Sequence, residues 1–280
     1  MMDPVVFVAV LAAAAMHAGW NAVVKVGLDR LSSILLLALA SAAIGIVLLP
    51  FFPFPQAPSW GWIVASALIH SGYKLALVRA YEHGDLSQVY PLARGTAPLV
   101  VAVAGAAFLG ETPTFLKLLA VVSIALGVCL MAWKGGAARA MPPKALGYAL
   151  ATAAFTASYT LVDGIGARLS GSASGYILAL TILDGASTCA FAAALRGAGV
   201  LKGLAPAWRT GLLLGGLSLA SYWIAVWAFT RAPIALVAAL RETSVLFAVL
   251  IAIVALKERA GPSRIAAASL ITCGIVLMRL

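Results

Sequence analysis

Long apolar runs, separated by short clusters of charged residues, proline and glycine, fill almost the whole chain. A helix that crosses the hydrocarbon core of a bilayer needs about 20 mostly apolar residues. The runs are too long for barrel strands and do not alternate as those strands do. The pattern therefore predicts an all-α integral membrane protein with ten transmembrane helices, near 3–26, 31–51, 59–81, 86–110, 113–134, 144–166, 173–196, 208–231, 233–257 and 262–280.

Two segments of the chain resemble each other. Residues 94–132 align with 241–279 without a gap and share 10 identities in 39 positions, where composition alone would give about four. The identities include the ionisable pairs Arg94/Arg241 and Glu111/Glu258. We expect two five-helix repeats, 1–134 and 144–280, joined by a loop at 135–143. Because five is odd, the second repeat is inverted, which is typical of transporters with alternating access.

Composition supports a membrane protein and excludes several other classes. The chain is 63% hydrophobic and 10% charged, whereas about a quarter of the residues in soluble domains are charged. Three cysteines stand singly, without the CxxC spacing of a metal or disulfide framework. The chain has no HExxH, GxSxG or phosphate-binding glycine loop, so we expect no cofactor, no metal and no enzymatic activity.

The net charge of +10 does not indicate nucleic-acid binding, because the basic residues lie at the ends of apolar segments. Twelve Lys and Arg residues fall on the side of the 134–144 loop and four on the other side. The positive-inside rule then predicts an inner-membrane protein with this loop in the cytoplasm and both termini outside. The remaining three basic residues, Lys74, Arg94 and Arg241, lie inside predicted helices.

Each repeat contains a segment with an internal arginine that ends in a helix-terminal acid. The first runs from Tyr90-Pro91 through Arg94 to Glu111, and the second from Arg241 to Glu258. Each is followed by a last helix with a small-residue and glycine pattern. In these features the chain resembles the ten-helix, EamA-like members of the drug/metabolite transporter superfamily. The resemblance implies a transporter of amino acids, other small metabolites or amphipathic toxicants, most often outward. It also implies cytoplasmic termini, opposite to the charge count.

Arg94 and Arg241 lie about eight residues into their helices, at roughly 1.5 Å per residue. An ionisable group at membrane depth costs about 2.5 to 3.5 kcal/mol and calls for a physical reason. Either the guanidinium groups bind an anionic group of the solute, or internal acids neutralise them and lock helices together; the available acids are Asp163, Asp184 and Glu242. Pro91 and Pro98 predict a kinked or opened fourth helix, which favours Arg94 as the binding residue.

Two polar and aromatic stripes indicate a shared cavity. The first helix presents His17, Trp20, Asn21 and Lys25 along one stripe, and the sixth presents Thr156, Tyr159, Thr160 and Asp163 at similar spacing. We expect both stripes to line the cavity; the alternative is hydrogen bonding between helices.

Further candidates lie in other helices. His70, Tyr73 and Lys74 share the third helix, and Tyr90 belongs to the fourth. Histidines titrate near neutral pH, so His17 and His70, together with Asp184, are candidates for proton coupling. Trp223 is an aromatic surface on which an apolar or cationic solute could stack.

The leading hypothesis is a secondary transporter, an exporter, of a small anionic or zwitterionic metabolite such as an amino acid. One alternative is an exporter of amphipathic cations, with Asp184 and Glu242 as counter-charges and Trp223 as stacking surface. Another is a lipid-carrier flippase. An intramembrane enzyme using His17, His70 and Arg94 lacks a second nucleophile or acid. Two repeats in one chain favour a monomer.

Overall fold

The structure is a computed structural model that describes residues 2–24, 30–84, 86–132, 141–256 and 261–280. Side chains at some further helical positions, among them Tyr90 and Pro91, lie outside the description. The helices are α1 (Pro4–Val24), α2 (Arg30–Leu48), α3 (Trp60–His83), α4 (Leu86–Leu109), α5 (Phe115–Ala132), α6 (Pro143–Leu169), α7 (Ala173–Arg196), α8 (Trp208–Phe229), α9 (Ile234–Arg241), α10 (Ser244–Leu256) and α11 (Pro262–Arg279).

The described residues form ten spans. Nine helical stretches are long and apolar enough to cross a membrane, and a shorter apolar helix, Phe115–Met131, is the tenth. Large apolar side chains such as Val103 and Phe108 are exposed on the outer surface, where a bilayer would cover them. The prediction of an all-α membrane protein with ten helices is confirmed.

The ninth span is interrupted near its middle. α9 ends at Arg241 and α10 begins at Ser244. Between them, the Thr243 N–H donates to the Leu240 carbonyl at 3.2 Å, three residues back instead of four. A short tightened turn inside a helix often marks a hinge. This one directly follows a candidate binding residue.

The fourth helix is not opened. α4 is one α-helix from Leu86 to Leu109 that includes Pro91 and Pro98, so the helix is not opened at these prolines, and the expected kink stays a prediction. Transmembrane helices tolerate proline because packed neighbours and side chains satisfy the freed backbone groups. The interruption lies instead in the ninth span, beside Arg241.

α5 and α11 pack against each other as a two-fold symmetric pair. A Cβ atom added at Gly127 would lie 2.9 Å from the Ala267 carbonyl oxygen, and one added at Gly274 would lie 2.8 Å from the Ala120 carbonyl oxygen. Contacts that run in opposite directions along the two helices make them antiparallel. Gly127 and Gly274 are equivalent positions in the alignment of residues 94–132 with 241–279.

This close contact predicts a large effect of one methyl group. We expect Gly127→Ala to lower the free energy of unfolding by about 1–3 kcal/mol, because the new carbon meets backbone that cannot move aside. Gly61→Ala in α3 is the control, since a Cβ there has no atom within 4 Å and alanine is the better helix former. Thermal unfolding in detergent measures both variants. Equal melting temperatures would contradict the predicted close contact.

Candidate functional site

Arg94 on α4 and Glu242 at the α9–α10 break form a buried ion pair between the two halves of the chain. The Arg94 Nε atom lies 2.9 Å from the Glu242 Oε2 atom. Arg94 is 5% exposed and Glu242 is 4% exposed. Removing two charges from water is costly, and only their mutual attraction offsets that cost. The pair is therefore stable only while both partners are present.

A small cavity surrounds this pair and receives residues from three spans. It has room for about one water molecule. Its lining residues are Arg94, Ala97, Pro98 and Val101 from α4, Thr156, Tyr159 and Thr160 from α6, and Ala238, Arg241 and Glu242 from the interrupted ninth span. The structure thus brings Arg94 and Arg241 to one cavity, together with three members of the α6 stripe.

Arg241 gives this cavity a second cation. Its guanidinium carbon lies 4.8 Å from the centre of the Tyr222 ring, a favourable cation–π arrangement. Since Arg94, Arg241 and Glu242 all line the cavity, these three charged residues sum to one net positive charge. A mononegative group entering the cavity would neutralise it.

The α1 stripe reaches the site only in part. His17 lies close enough to both cavity arginines to interact with them electrostatically, and its ring meets the Trp20 ring edge-on at 5.0 Å. The buried Trp20 indole N–H has no acceptor among the described residues. Asn21 donates to the His17 carbonyl of its own helix at 2.9 Å. Lys25 lies outside the described residues.

An aromatic cluster continues from the cavity towards α3. The His70 ring stacks on Tyr159 at 4.1 Å, and Tyr73 meets the same tyrosine edge-on at 5.7 Å. Tyr222 lies 5.8 Å from His70 and 6.2 Å from Tyr159, again edge-on. Two predicted site residues of α3 are thereby placed against a residue that lines the cavity.

Asp163, the last member of the α6 stripe, is fully buried behind this cluster. The Tyr176 hydroxyl donates to its Oδ1 atom at 2.9 Å, and the Tyr222 hydroxyl donates to Oδ2. The Ser66 hydroxyl also interacts with the carboxyl group. His70 is in turn held by Ser66, whose carbonyl oxygen is 3.0 Å from Nδ1. Neutral hydroxyl groups therefore surround this acid.

Lys74 and Asp184 form a separate ion pair between α3 and α7. The Lys74 Nζ atom lies 2.6 and 2.7 Å from the two Asp184 carboxylate oxygens and 2.5 Å from the Thr188 hydroxyl. Ser71 and Ser187 add a hydrogen bond of 3.0 Å between the same helices. This geometry favours charge pairing that holds α3 against α7 over a role of Asp184 in proton coupling.

A further cluster, missed as a site by the sequence analysis, joins the two halves at the Arg168 end of α6. Glu111, just beyond α4, accepts from Arg168 at 2.7 Å and from the Ile234 backbone N–H of α9 at 2.8 Å. Arg168 also donates to the Phe229 and Ala232 carbonyls at 2.9 and 3.1 Å. We call these contacts the Glu111–Arg168 latch. The repetition of Glu111 as Glu258 was the available sequence signal.

The predicted binding residue Trp223 contacts residues outside the cavity lining. The Trp223 indole N–H donates to the Ser174 hydroxyl at 3.0 Å, and its ring packs edge-on against Phe52 at 5.1 Å. Trp223 is not among the cavity-lining residues. The Tyr90 side chain lies outside the described part of the chain. Among described residues, no group of three or more His, Cys, Asp and Glu is placed to hold a metal ion.

Comparison with known proteins shows which family the first half of the chain is similar to. Residues 5–133 match the model of the EamA-like transporter family. A solved crystal structure superimposes with a TM-score of 0.73 at 16% identity, covering 98% of this chain and 95% of its own; that likeness shows the fold. None of the curated proteins matches the chain. The chain is a multi-pass membrane protein whose residues 5–133 are similar to the EamA-like transporter family of the drug/metabolite transporter superfamily.

Proposed function

We propose that this protein is a secondary transporter of a small solute with a carboxylate or similar anionic group, such as an amino acid or an organic anion. The observation that supports this most is the buried Arg94–Glu242 pair, with Arg241 lining the same cavity. Arginine presents a planar set of donors that matches a carboxylate. Burial in a small cavity strengthens such an interaction, because little water competes for the donors.

The solute would bind by exchanging partners with this ion pair. A carboxylate takes the place of Glu242 on Arg94, and the ammonium group of an amino acid then pairs with Glu242. A simple anion instead uses the excess positive charge that Arg241 supplies. In both cases no buried charge is left without a partner. The exchange therefore avoids the large free-energy cost of an unpaired buried charge.

Alternating access would follow from movement of the two inverted halves about this site. Arg94 lies on α4 of the first half, whereas Arg241 and Glu242 lie on the interrupted ninth span of the second half. Transporter sites of this kind often use broken helices at a repeat interface. The tightened turn at Thr243 is the natural hinge, because a turn absorbs backbone rotation more easily than a regular helix.

The competing functions have less support. A cation exporter was expected to use Asp184, Glu242 and Trp223, but both acids are ion-paired and Trp223 lies away from the cavity. A flippase for a lipid carrier has one observation in its favour, a mostly apolar groove of about 430 Å³ between α10 and α11. The Arg94 cavity, which has room for about one water molecule, favours a compact solute.

Ligand-induced thermal stabilisation of the purified protein tests the proposal. The panel holds amino acids, organic acids, inorganic phosphate, quaternary ammonium dyes and a polyprenyl phosphate. Specific binding raises the melting temperature by mass action. We expect stabilisation by carboxylates, lost in the double variant Arg94→Gln/Glu242→Gln and kept in Arg79→Gln, whose surface ion pair lies within one helix. Stabilisation by cations or the polyprenyl compound alone would overturn the proposal.

The cellular setting is proposed on the same basis. We place the protein in the inner membrane as a monomer built of repeats 1–134 and 144–280, with export as the direction the family implies. The charge distribution puts both termini outside the cytoplasm. The Glu111–Arg168 latch then closes the extracytoplasmic face.

A further inference from the structure

We propose that Asp163 is a proton-binding site whose occupancy is linked through Tyr222 to the charge of the solute cavity. The inference deepens the proposed function, because it names the coupling ion, but the proton site itself does not depend on the nature of the solute. The sequence analysis pointed to His17, His70 and Asp184 for coupling. It also named Asp163 among the acids for coupling or charge pairing, and the geometry favours this acid.

The first argument is that Asp163 has no lysine or arginine beside it. Among the acidic side chains described within the spans, Asp184 and Glu242 each have a cation within 4 Å, at 2.6 and 2.9 Å. Asp163 is 0% exposed; among the described residues its hydrogen-bond partners are hydroxyl groups, and the basic group that interacts with it is the His70 imidazole. A buried carboxylate without a permanently charged lysine or arginine beside it is costly, and it is relieved by taking up a proton. Intramembrane acids of this kind recur as proton carriers in transporters.

The second argument is that its hydrogen bonds suit both protonation states. An ionised carboxylate accepts from the hydroxyls of Tyr176 and Tyr222. A protonated one can donate to the Tyr222 oxygen, because a phenol hydroxyl both donates and accepts. The hydroxyl groups around Asp163 therefore keep their positions when a proton binds, and only the Tyr222 O–H bond has to rotate.

The third argument is the connection to the cavity. The Tyr222 hydroxyl contacts Asp163, while the face of its ring lies 4.8 Å from the Arg241 guanidinium carbon. Arg241 lines the solute cavity. One side chain thus touches both the proton site and the solute site.

The surroundings of Asp163 contain few other titratable groups. α3 supplies His70, which interacts with Asp163 electrostatically, and α7 supplies Tyr176. α8 supplies Tyr222, and α9 supplies Arg241 on the far side of that ring. The charged residue of α4 nearest to the α6 stripe, Arg94, lines the cavity with Thr160 instead.

Protonation has a definite effect on solute binding. With Asp163 ionised, the four charges of Arg94, Arg241, Glu242 and Asp163 cancel. With Asp163 protonated, one net positive charge remains, so a monoanion binds more tightly. Linkage is reciprocal, so the anion also strengthens proton binding. Their joint movement is electroneutral, and export then requires a solute gradient steeper than the opposing proton gradient.

Infrared spectroscopy of the purified protein without any solute tests the proton site. A protonated carboxyl group has a C=O stretching band that disappears when the group ionises. We expect the wild-type protein to show one such band whose intensity titrates with pH, Asp163→Asn to lack it, and Asp163→Glu to retain it at a shifted frequency. A band that persists unchanged in a folded Asp163→Asn protein would overturn the proposal.

The link through Tyr222 is tested by the same titration. Arg241→Gln removes the cation that lies over the Tyr222 ring, so it should move the midpoint of the Asp163 titration if Tyr222 links the two sites. Tyr222→Phe should abolish most of this shift. Tyr176→Phe, which removes the other hydroxyl partner, should keep it. Equal shifts in the wild-type, Tyr222→Phe and Tyr176→Phe proteins would contradict the link. These titrations use no solute, so their outcome is independent of the transport proposal.

Discussion

Replacing Arg94 with glutamine is expected to lower the free energy of unfolding by about 3–5 kcal/mol, the range for a buried ion pair that loses one partner. The loss comes mainly from Glu242, which stays buried as a charge without its cation. Arg241 lines the same cavity but is engaged with the Tyr222 ring, 4.8 Å from its guanidinium carbon. Thermal unfolding in detergent, compared with the wild-type protein, measures the effect.

The double variant Arg94→Gln/Glu242→Gln separates a missing partner from lost packing. Two neutral amides can hydrogen-bond to each other, so we expect the double variant to recover most of the stability that Arg94→Gln loses. Such non-additivity is the measure of direct interaction between two residues. If the two substitutions instead add, the side chains act independently and the proposed exchange of partners with a solute has no basis.

Much of the architecture could be predicted because it depends on local patterns. Apolar runs of about 20 residues leave few alternatives to membrane helices, and the repeat of Arg94 as Arg241 indicated that both arginines share one site. The structure places both at one cavity. The position of Thr156, Tyr159 and Thr160 at one cavity could also be predicted, because helical spacing puts them on one face of α6.

The remainder depends on tertiary contacts that leave no local signal. The interruption at Thr243 has no proline or glycine beside it, and it lies where Glu242 turns to meet Arg94. α4 continues as one α-helix through Pro98, as is common in membrane helices, where neighbouring groups satisfy the backbone that a proline frees. The hydroxyl groups around Asp163 come from α3, α7 and α8. They are separated along the chain by up to 156 positions, from Ser66 to Tyr222.

The Glu111–Arg168 latch is expected to control access to the cavity from its face of the membrane. Glu111 belongs to the first half of the chain, whereas Arg168 and the start of α9 belong to the second. A carboxylate is also stabilised at a helix N-terminus by the helix dipole. Hydrogen bonds to charged groups contribute about 1.5–3 kcal/mol each, so releasing them should shift the equilibrium between closed and open states substantially.

We expect Arg168→Gln to raise the labelling rate of a cysteine at Ala238, which lines the cavity, by about 10- to 100-fold, since 1.4 kcal/mol corresponds to a factor of ten. The experiment uses a chain whose native Cys129, Cys189 and Cys273 are replaced, and a thiol reagent that does not cross membranes. Arg79→Gln is the control, because its partner Glu82 lies on the same helix and both side chains are about half exposed.

The side from which labelling occurs adds a second result. With both termini outside the cytoplasm, the latch faces outward, so faster labelling should occur in intact cells. Faster labelling only in inside-out vesicles would keep the latch but reverse the proposed orientation, with both termini then in the cytoplasm. An unchanged labelling rate in both preparations would mean that the latch contacts do not limit access to the cavity. The latch would then stabilise the fold without closing the site.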